Sequence, residues 1–238
     1  MINDLNLDVK LFADGADKAG ILEMYDNSQI SGFTTNPTLM KAAGIKDYKT
    51  FSLDILSHIK DKPISFEVFS DEFHEMEKQA LEIASWAENV YVKIPITNTK
   101  SKSSKDLIER LSNSGVKLNV TAMMTVDQVQ NILPALTNSP ASYVSVFAGR
   151  IADTGKNPLN IMQNVLELLK NYPKTELIWA SPRELYNVVQ ANDIGCHIIT
   201  ATNDLLKKLP LLGKDLDEFS LETVQMFFDD AKEAGYSI

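Results

Sequence analysis

Short runs of apolar and β-branched residues alternate along the chain with longer stretches in which apolar positions recur every three or four residues. The short runs fall at 9–13, 30–35, 64–69, 89–96, 117–122, 143–148, 176–180 and 197–201, and each has the length and composition of a buried strand. Between them the spacing predicts helices at 17–25, 48–60, 71–88, 105–114, 126–136, 159–171, 184–190 and 204–209. The pattern is clearest in 71–88, where Phe73, Met76, Ala80, Ile83, Ala84 and Ala87 share one helical face. Strands and helices that alternate in this way imply parallel pairing, because each return to the sheet needs a crossover helix. Eight units predict a closed (β/α)8 TIM barrel of the α/β class. An open doubly wound sheet is the rival, but no G-x-G-x-x-G follows the first strand. A further helix at 220–234 lies beyond the eight units, and Phe219, Val224, Phe227 and Phe228 give it apolar surface with which to cap the barrel or dock on a neighbouring subunit. Residues 1–238 read as one domain, and we expect a homo-oligomer.

Composition changes the picture mainly by exclusion. A net charge of -9 argues against nucleic-acid and anionic-membrane partners, which need clustered Lys and Arg. Any anionic substrate must then be held by a few local cations. The single Cys196 excludes an internal disulfide and a site of several thiolates, and reads as a buried strand residue. His58 and His74 fall on helices and His197 on a strand, without ligand-like spacing, so no metal is expected. No other cofactor is expected either. Residues 1–10 carry acids and amides where an export signal needs an apolar run, and no stretch approaches the roughly 18 apolar residues of a membrane span. The expected location is the cytoplasm.

The fourth run carries the most chemistry. In 89–96, Val90, Val92 and Ile94 share one face, while Tyr91, Lys93 and Pro95 share the other and face the barrel axis. Burying an ammonium is costly unless a partner compensates. The cost becomes useful if the lysine is a nucleophile, since the neutral amine attacks carbonyls. The bland alternative is a barrel-filling lysine paired with an acid such as Glu67. Other runs also place polar groups inward or just past their C-terminal ends: Ser65 and Glu67, Asn119 and Thr121, then Ser145, with Phe147 on the same face. Asp14 closes the first run and Asn36 the second, Arg150 lies just beyond the sixth, and Ser181 and Arg183 follow the seventh. Barrel enzymes assemble their sites at this end of the strands, whereas a purely structural barrel fills its axis with branched apolar side chains. Taken singly, Asp14 and Asn36 are also good helix caps, and Arg150 and Arg183 ordinary surface cations.

Together these segments resemble a known family. Ala13-Asp14-Gly15-Ala16-Asp17, Thr34-Thr35-Asn36-Pro37-Thr38, Ser65-Phe66-Glu67-Val68, Val92-Lys93-Ile94-Pro95, Leu118-Asn119-Val120-Thr121, Phe147-Ala148-Gly149-Arg150 and Ala180-Ser181-Pro182-Arg183 are similar, in order, to the motifs of transaldolases. The length resembles the short branch, which also contains fructose-6-phosphate aldolase. The resemblance implies a barrel enzyme of carbohydrate metabolism, such as the pentose phosphate pathway, whose partners are phosphorylated sugars. It implies that Lys93 forms an imine with a ketose, that Asp14 exchanges the proton of the departing hydroxyl, and that Glu67 and Thr121 hold a water. Asn36 and Asn119 would bind hydroxyls of the dihydroxyacetone unit and Ser145 would orient it, with Phe147 beside them. Arg150, Ser181 and Arg183 would bind phosphate. The chain departs from the family after the lysine, where Asn98-Thr99-Lys100-Ser101-Lys102-Ser103-Ser104 replaces the usual Glu-Gly, and at Pro182, where an aromatic is usual. The first departure reads as a solvated loop or as an altered rim for the far end of a substrate. Glu67 and Phe147 stand where the aldolases tend to carry Gln and Tyr, which favours transfer over release. The other readings are the aldolase, a transfer enzyme with a different acceptor, and a non-catalytic barrel that binds sugar phosphates.

Overall fold

Eight parallel strands pair in chain order and the last returns to the first, closing a barrel in this computed structural model, which describes residues 7–238. They are β1 (Lys10–Asp14), β2 (Ile30–Thr34), β3 (Ile64–Glu67), β4 (Val90–Pro95), β5 (Leu118–Met123), β6 (Ser142–Val146), β7 (Thr175–Trp179) and β8 (Ile198–Thr202). Each expected strand has its counterpart, within a few residues at the ends. The connecting helices are α1 (Lys18–Asp26), α2 (Pro37–Ala42), α3 (Tyr48–His58), α4 (Phe73–Ala84), α5 (Lys105–Asn113), α6 (Val126–Ile132), α7 (Ala148–Asp153), α8 (Leu159–Leu169), α9 (Tyr186–Asp193) and α10 (Asn203–Leu206).

Several helical details differ from expectation, each for a local reason. The pattern at 126–136 divides, because Pro134 cannot continue the hydrogen-bond ladder and Leu133–Leu136 becomes a 3-10 turn. The strand read to residue 148 ends at Val146, and Ala148 opens α7 instead. Similarly, Val68 and Phe69 lie past the end of β3. The short α2 is capped by Asn36, whose Oδ1 accepts the Leu39 N–H at 2.9 Å, and Pro37 takes the first position, where a missing N–H costs nothing.

The compact unit Leu7–Leu206 contains the barrel. Toward the helices it buries the outward face of each strand, including Val90, Val92 and Ile94 on β4. Along the axis the floor is aromatic. The rings of Tyr91 and Tyr143 stack at 4.1 Å, Phe12 meets Tyr143 edge-on at 5.9 Å, and Ile178, Ala180 and Ile198 complete the cluster. Gly32 makes room for this floor, since a Cβ there would lie 2.5 Å from the Phe12 ring. With the lower axis filled by rings, polar inward residues at the strands' C-terminal ends surround a cavity above it.

The second unit, Lys207–Ile238 among the described residues, holds a 3-10 turn and α11 (Leu216–Glu233). This helix starts earlier than residue 220 because Asp215 caps it, accepting from the N–H groups of Asp217 and Glu218. Lys214 lies over the Phe219 ring and pairs with Glu222. Among the described residues no helix is long and apolar enough to cross a membrane. Residues 1–6, part of the stretch read for an export signal, lie outside the described residues.

Candidate active site

Lys93 lies at the centre of the polar layer. Its side chain leaves mid-β4 toward the axis, is almost wholly buried, and places Nζ 3.0 Å from Glu67 Oε2 and 2.8 Å from the Thr35 carbonyl oxygen. The pairing with Glu67 follows from register, since Glu67 and Lys93 are direct Cα partners across β3 and β4. Pairing is what the bland reading required. It is equally what a nucleophilic amine needs, because a carboxylate within one hydrogen bond receives the proton the ammonium must lose.

Above these groups opens a cavity of about 400 Å³, lined by Lys93, Glu67, Asp14, Thr121, Asn36, Ser145, Phe147, Arg150 and Ser181, with Thr34 and Thr200. Nine of the expected site residues therefore share one cavity wall at the C-terminal ends of the strands. The other two do not line it. Asn119 is fully buried, donating from Nδ2 to Ser65 Oγ at 3.0 Å and accepting at Oδ1 from Ser145 Oγ at 2.7 Å. It braces Ser145 from behind. Arg183 is turned to Asp153, with Nε 3.0 Å from Oδ1 and Nη2 on Oδ2. Arg150, by contrast, lies on the cavity wall with its guanidinium 5.7 Å from the centre of the Phe147 ring.

Asp14 is held by a chain of hydroxyls that sequence reasoning missed. Thr34 Oγ1 donates to Asp14 Oδ1 at 2.7 Å and lies 2.5 Å from Thr200 Oγ1. A hydroxyl has one proton, so Thr34 gives its own to Asp14 and accepts from Thr200. Burial pushes the Asp14 carboxyl above its ordinary value; Lys93 and the Thr34 bond oppose the shift, while Glu67 adds to it. The signal was available, since Thr34 and Thr200 sit at inward positions of β2 and β8. Thr121 Oγ1, by contrast, is buried on the cavity wall with no hydrogen-bond partner among the described residues. It is therefore available to a water or a substrate hydroxyl.

Two strained positions shape the rim. Ala122 (φ 64°) and Ser181 (φ 60°) adopt left-handed backbone that residues with a Cβ seldom take. Ala122 coincides with the register shift in the β5–β6 ladder between Val120 and Met123. Beside Ser181, Gly149 approaches so closely that an added Cβ would lie 1.6 Å from the Ser181 carbonyl oxygen. The loop after β4 is exposed at residues 99–103 and is tied down by hydrogen bonds at its base. Asn98 is buried and its Oδ1 accepts from the N–H groups of Lys100 and Lys102, both at 3.0 Å. Asp71 holds the Thr99 N–H at 2.7 Å, and Lys100 pairs with Glu72 at 2.6 Å.

Residues 11–238 match the sequence family described as Transaldolase/Fructose-6-phosphate aldolase. A protein named probable transaldolase from Dehalococcoides mccartyi is 35% identical over 215 residues, covering 89% of this chain and 96% of its own. Another probable transaldolase, from Thermoanaerobacter sp., is 34% identical and covers 97% of this chain and 100% of its own. Among solved structures the fold is similar to tryptophan synthase subunit alpha from Campylobacter jejuni (TM-score 0.55, 13% identity, 89% of this chain and 92% of that one). It is also similar to an aldolase designated QR15 (TM-score 0.52, 16% identity, 88% of this chain and 99% of that one). At these identities the two structures speak to the fold alone.

Proposed function

This chain belongs to the transaldolase/fructose-6-phosphate aldolase family, and from that premise we propose that it is a transaldolase working through an imine on Lys93. The donor is a ketose phosphate, sedoheptulose 7-phosphate or fructose 6-phosphate. The acceptor is an aldose phosphate, glyceraldehyde 3-phosphate or erythrose 4-phosphate. The observation that carries the reading is the buried Lys93 amine, held beside Glu67 and opening on a cavity that also contains Asp14.

The chemistry runs as follows. Lys93 Nζ adds to the ketose carbonyl carbon, and the carbinolamine loses water to give a protonated imine. Glu67 and Thr121 hold the water that moves protons in this step. Asp14 then takes the proton from the hydroxyl two carbons beyond the imine carbon. The bond between the two intervening carbons breaks, its electron pair flows into the imine to give an enamine, and the aldose leaves. The raised Asp14 value suits a group that alternates between base and acid, since burial favours its neutral form. When the acceptor aldehyde enters, the enamine carbon attacks it and Asp14 returns the proton to the new hydroxyl. Water then releases the longer ketose and restores the amine. Asn36 and Ser145 bind the dihydroxyacetone hydroxyls, with Asn119 acting through Ser145. Arg150 and Ser181 take the phosphate, and Arg183 joins them by exchanging Asp153 for it. We take the protein to work in the cytoplasm as a homo-oligomer.

The rival within the family, release of free dihydroxyacetone, is disfavoured by Phe147. A phenyl ring packed beside Arg150 offers no hydroxyl to hold the water that would protonate the enamine. Fructose 6-phosphate alone should therefore release little dihydroxyacetone, and added erythrose 4-phosphate should give rapid formation of glyceraldehyde 3-phosphate and a seven-carbon ketose. Phe147→Tyr should shift the balance toward release. Steady release by the unmodified enzyme, indifferent to every aldose tried, would assign it as the aldolase.

A further inference from the structure

The ladder between β2 and β3 stops one bond short. Residues 63, 65 and 67 of the third strand's path face β2. Phe33 N–H donates to the Pro63 carbonyl at 2.8 Å and Thr35 N–H to the Ser65 carbonyl at 3.1 Å, while the alternate positions face β4. A regular parallel ladder would next give the Glu67 N–H to the Thr35 carbonyl, and the Glu67 carbonyl to the N–H of residue 37. Neither bond exists. The Thr35 carbonyl accepts from Lys93 Nζ, and residue 37 is a proline with no N–H.

Glu67 would thus have two unpaired backbone groups at the end of its strand, which a buried site tolerates poorly. Tyr48, from α3, supplies both partners with one hydroxyl. It accepts the Glu67 N–H at 2.8 Å and donates to the Glu67 carbonyl at 2.8 Å. Burial raises the Tyr48 value and so keeps the hydroxyl protonated and able to donate. The ring is fixed by Phe66, Phe69 and Trp86, with centroids at 6.4, 5.3 and 6.2 Å.

We propose that Tyr48 is a positioning residue for the amine and the carboxylate: by standing in for the missing end of the β2–β3 ladder, its hydroxyl frees the Thr35 carbonyl to hold Lys93 and fixes Glu67 beside it. The inference rests on the imine reading of Lys93 for its kinetic consequence, and on backbone geometry alone for its structural one. Without the hydroxyl, the acceptor in ladder register for the Glu67 N–H is the Thr35 carbonyl, and drawing Glu67 onto it would share that oxygen with Lys93 Nζ and shift the carboxylate.

Tyr48→Phe in the full chain keeps the ring and tests this. The Glu67 amide should exchange with solvent roughly tenfold faster. The rate at which borohydride traps fructose 6-phosphate, and kcat with it, should fall about tenfold or more, while KM changes far less. Phe69→Leu, which loosens the ring's packing and keeps the hydroxyl, should leave both exchange and trapping near the parent values. If Tyr48→Phe does not fold, fluorinated tyrosine at 48 keeps the ring while weakening the oxygen as an acceptor, and should give a smaller change of the same sign. Parent-like exchange and trapping in Tyr48→Phe would overturn the proposal. So would equal losses in Phe69→Leu, which would mean that packing rather than the hydroxyl matters. The exchange measurement needs no substrate, so a parent enzyme that traps no sugar would count against the imine reading while exchange still decides the role of Tyr48.

Discussion

Asp14 shows at the residue scale how a site departs from what stability alone would select. Its carboxyl is raised by burial, so between the ordinary aspartate range and its native value the folded protein binds more protons than the unfolded chain. Stability therefore falls as pH rises through that window, and the loss persists above it. Asp14→Asn removes the charge and should gain roughly 1 kcal/mol at neutral pH. The gain should vanish at pH values below the ordinary aspartate range, as denaturant titrations over a pH series would register. The same variant should still form a borohydride-trappable imine and yet lose at least about 100-fold in turnover, because trapping precedes carbon–carbon cleavage. A gain independent of pH, or full turnover, would remove Asp14 from the reaction; the cap of α1 is Asp17, which accepts the Gly20 N–H. At this scale the sequence was legible where side-chain parity along a strand decides the outcome, as for Lys93, Glu67 and Thr121. The hydroxyls of Thr34 and Thr200 obey the same parity but carry no charge to draw notice. The hold of Asp153 on Arg183, in contrast, joins the end of α7 to the loop after β7 and has no local pattern.

At the scale of elements, strands were easier to read than short helices. Buried strands announce themselves by apolar runs, but α2 and α7 are elements of six residues, under two turns, too short for a helical repeat to emerge. Both follow strands that end at the cavity, and α7 contains the closest approach of the rim. The contact of Gly149 with the Ser181 carbonyl sets the distance between the segments that present Arg150 and Ser181. Gly149→Ala cannot be absorbed by a side-chain rotation, because the atom it meets is backbone. We expect a destabilisation of roughly 2 kcal/mol and a KM for fructose 6-phosphate raised by about tenfold or more, with less effect on an unphosphorylated ketose. Equal effects on both ketoses would mean that the approach shapes the whole cavity rather than the end proposed to take the phosphate. Tyr48 was the least legible of all, since its partner is the backbone of a strand 19 residues away.

Over the whole molecule, the order of strands was readable because alternating strands and helices leave few topologies, and eight of them close. Closure explains why residues scattered from Asp14 to Thr200 meet around one cavity. It also divides the axis into an aromatic floor around Tyr91 and Tyr143 and a polar upper layer around Lys93. Floor and layer share the inward positions of the same strands, and on β4 the paired Lys93 stands one inward position above the packed Tyr91. The function proposed for Lys93 is the attack of its amine on a ketose carbonyl, and the decisive experiment is borohydride reduction in the presence of fructose 6-phosphate. A stable mass increment on the peptide that contains Lys93, lost in Lys93→Ala, is the expected result; labelling at another lysine, or none with any ketose phosphate, would rule the imine out.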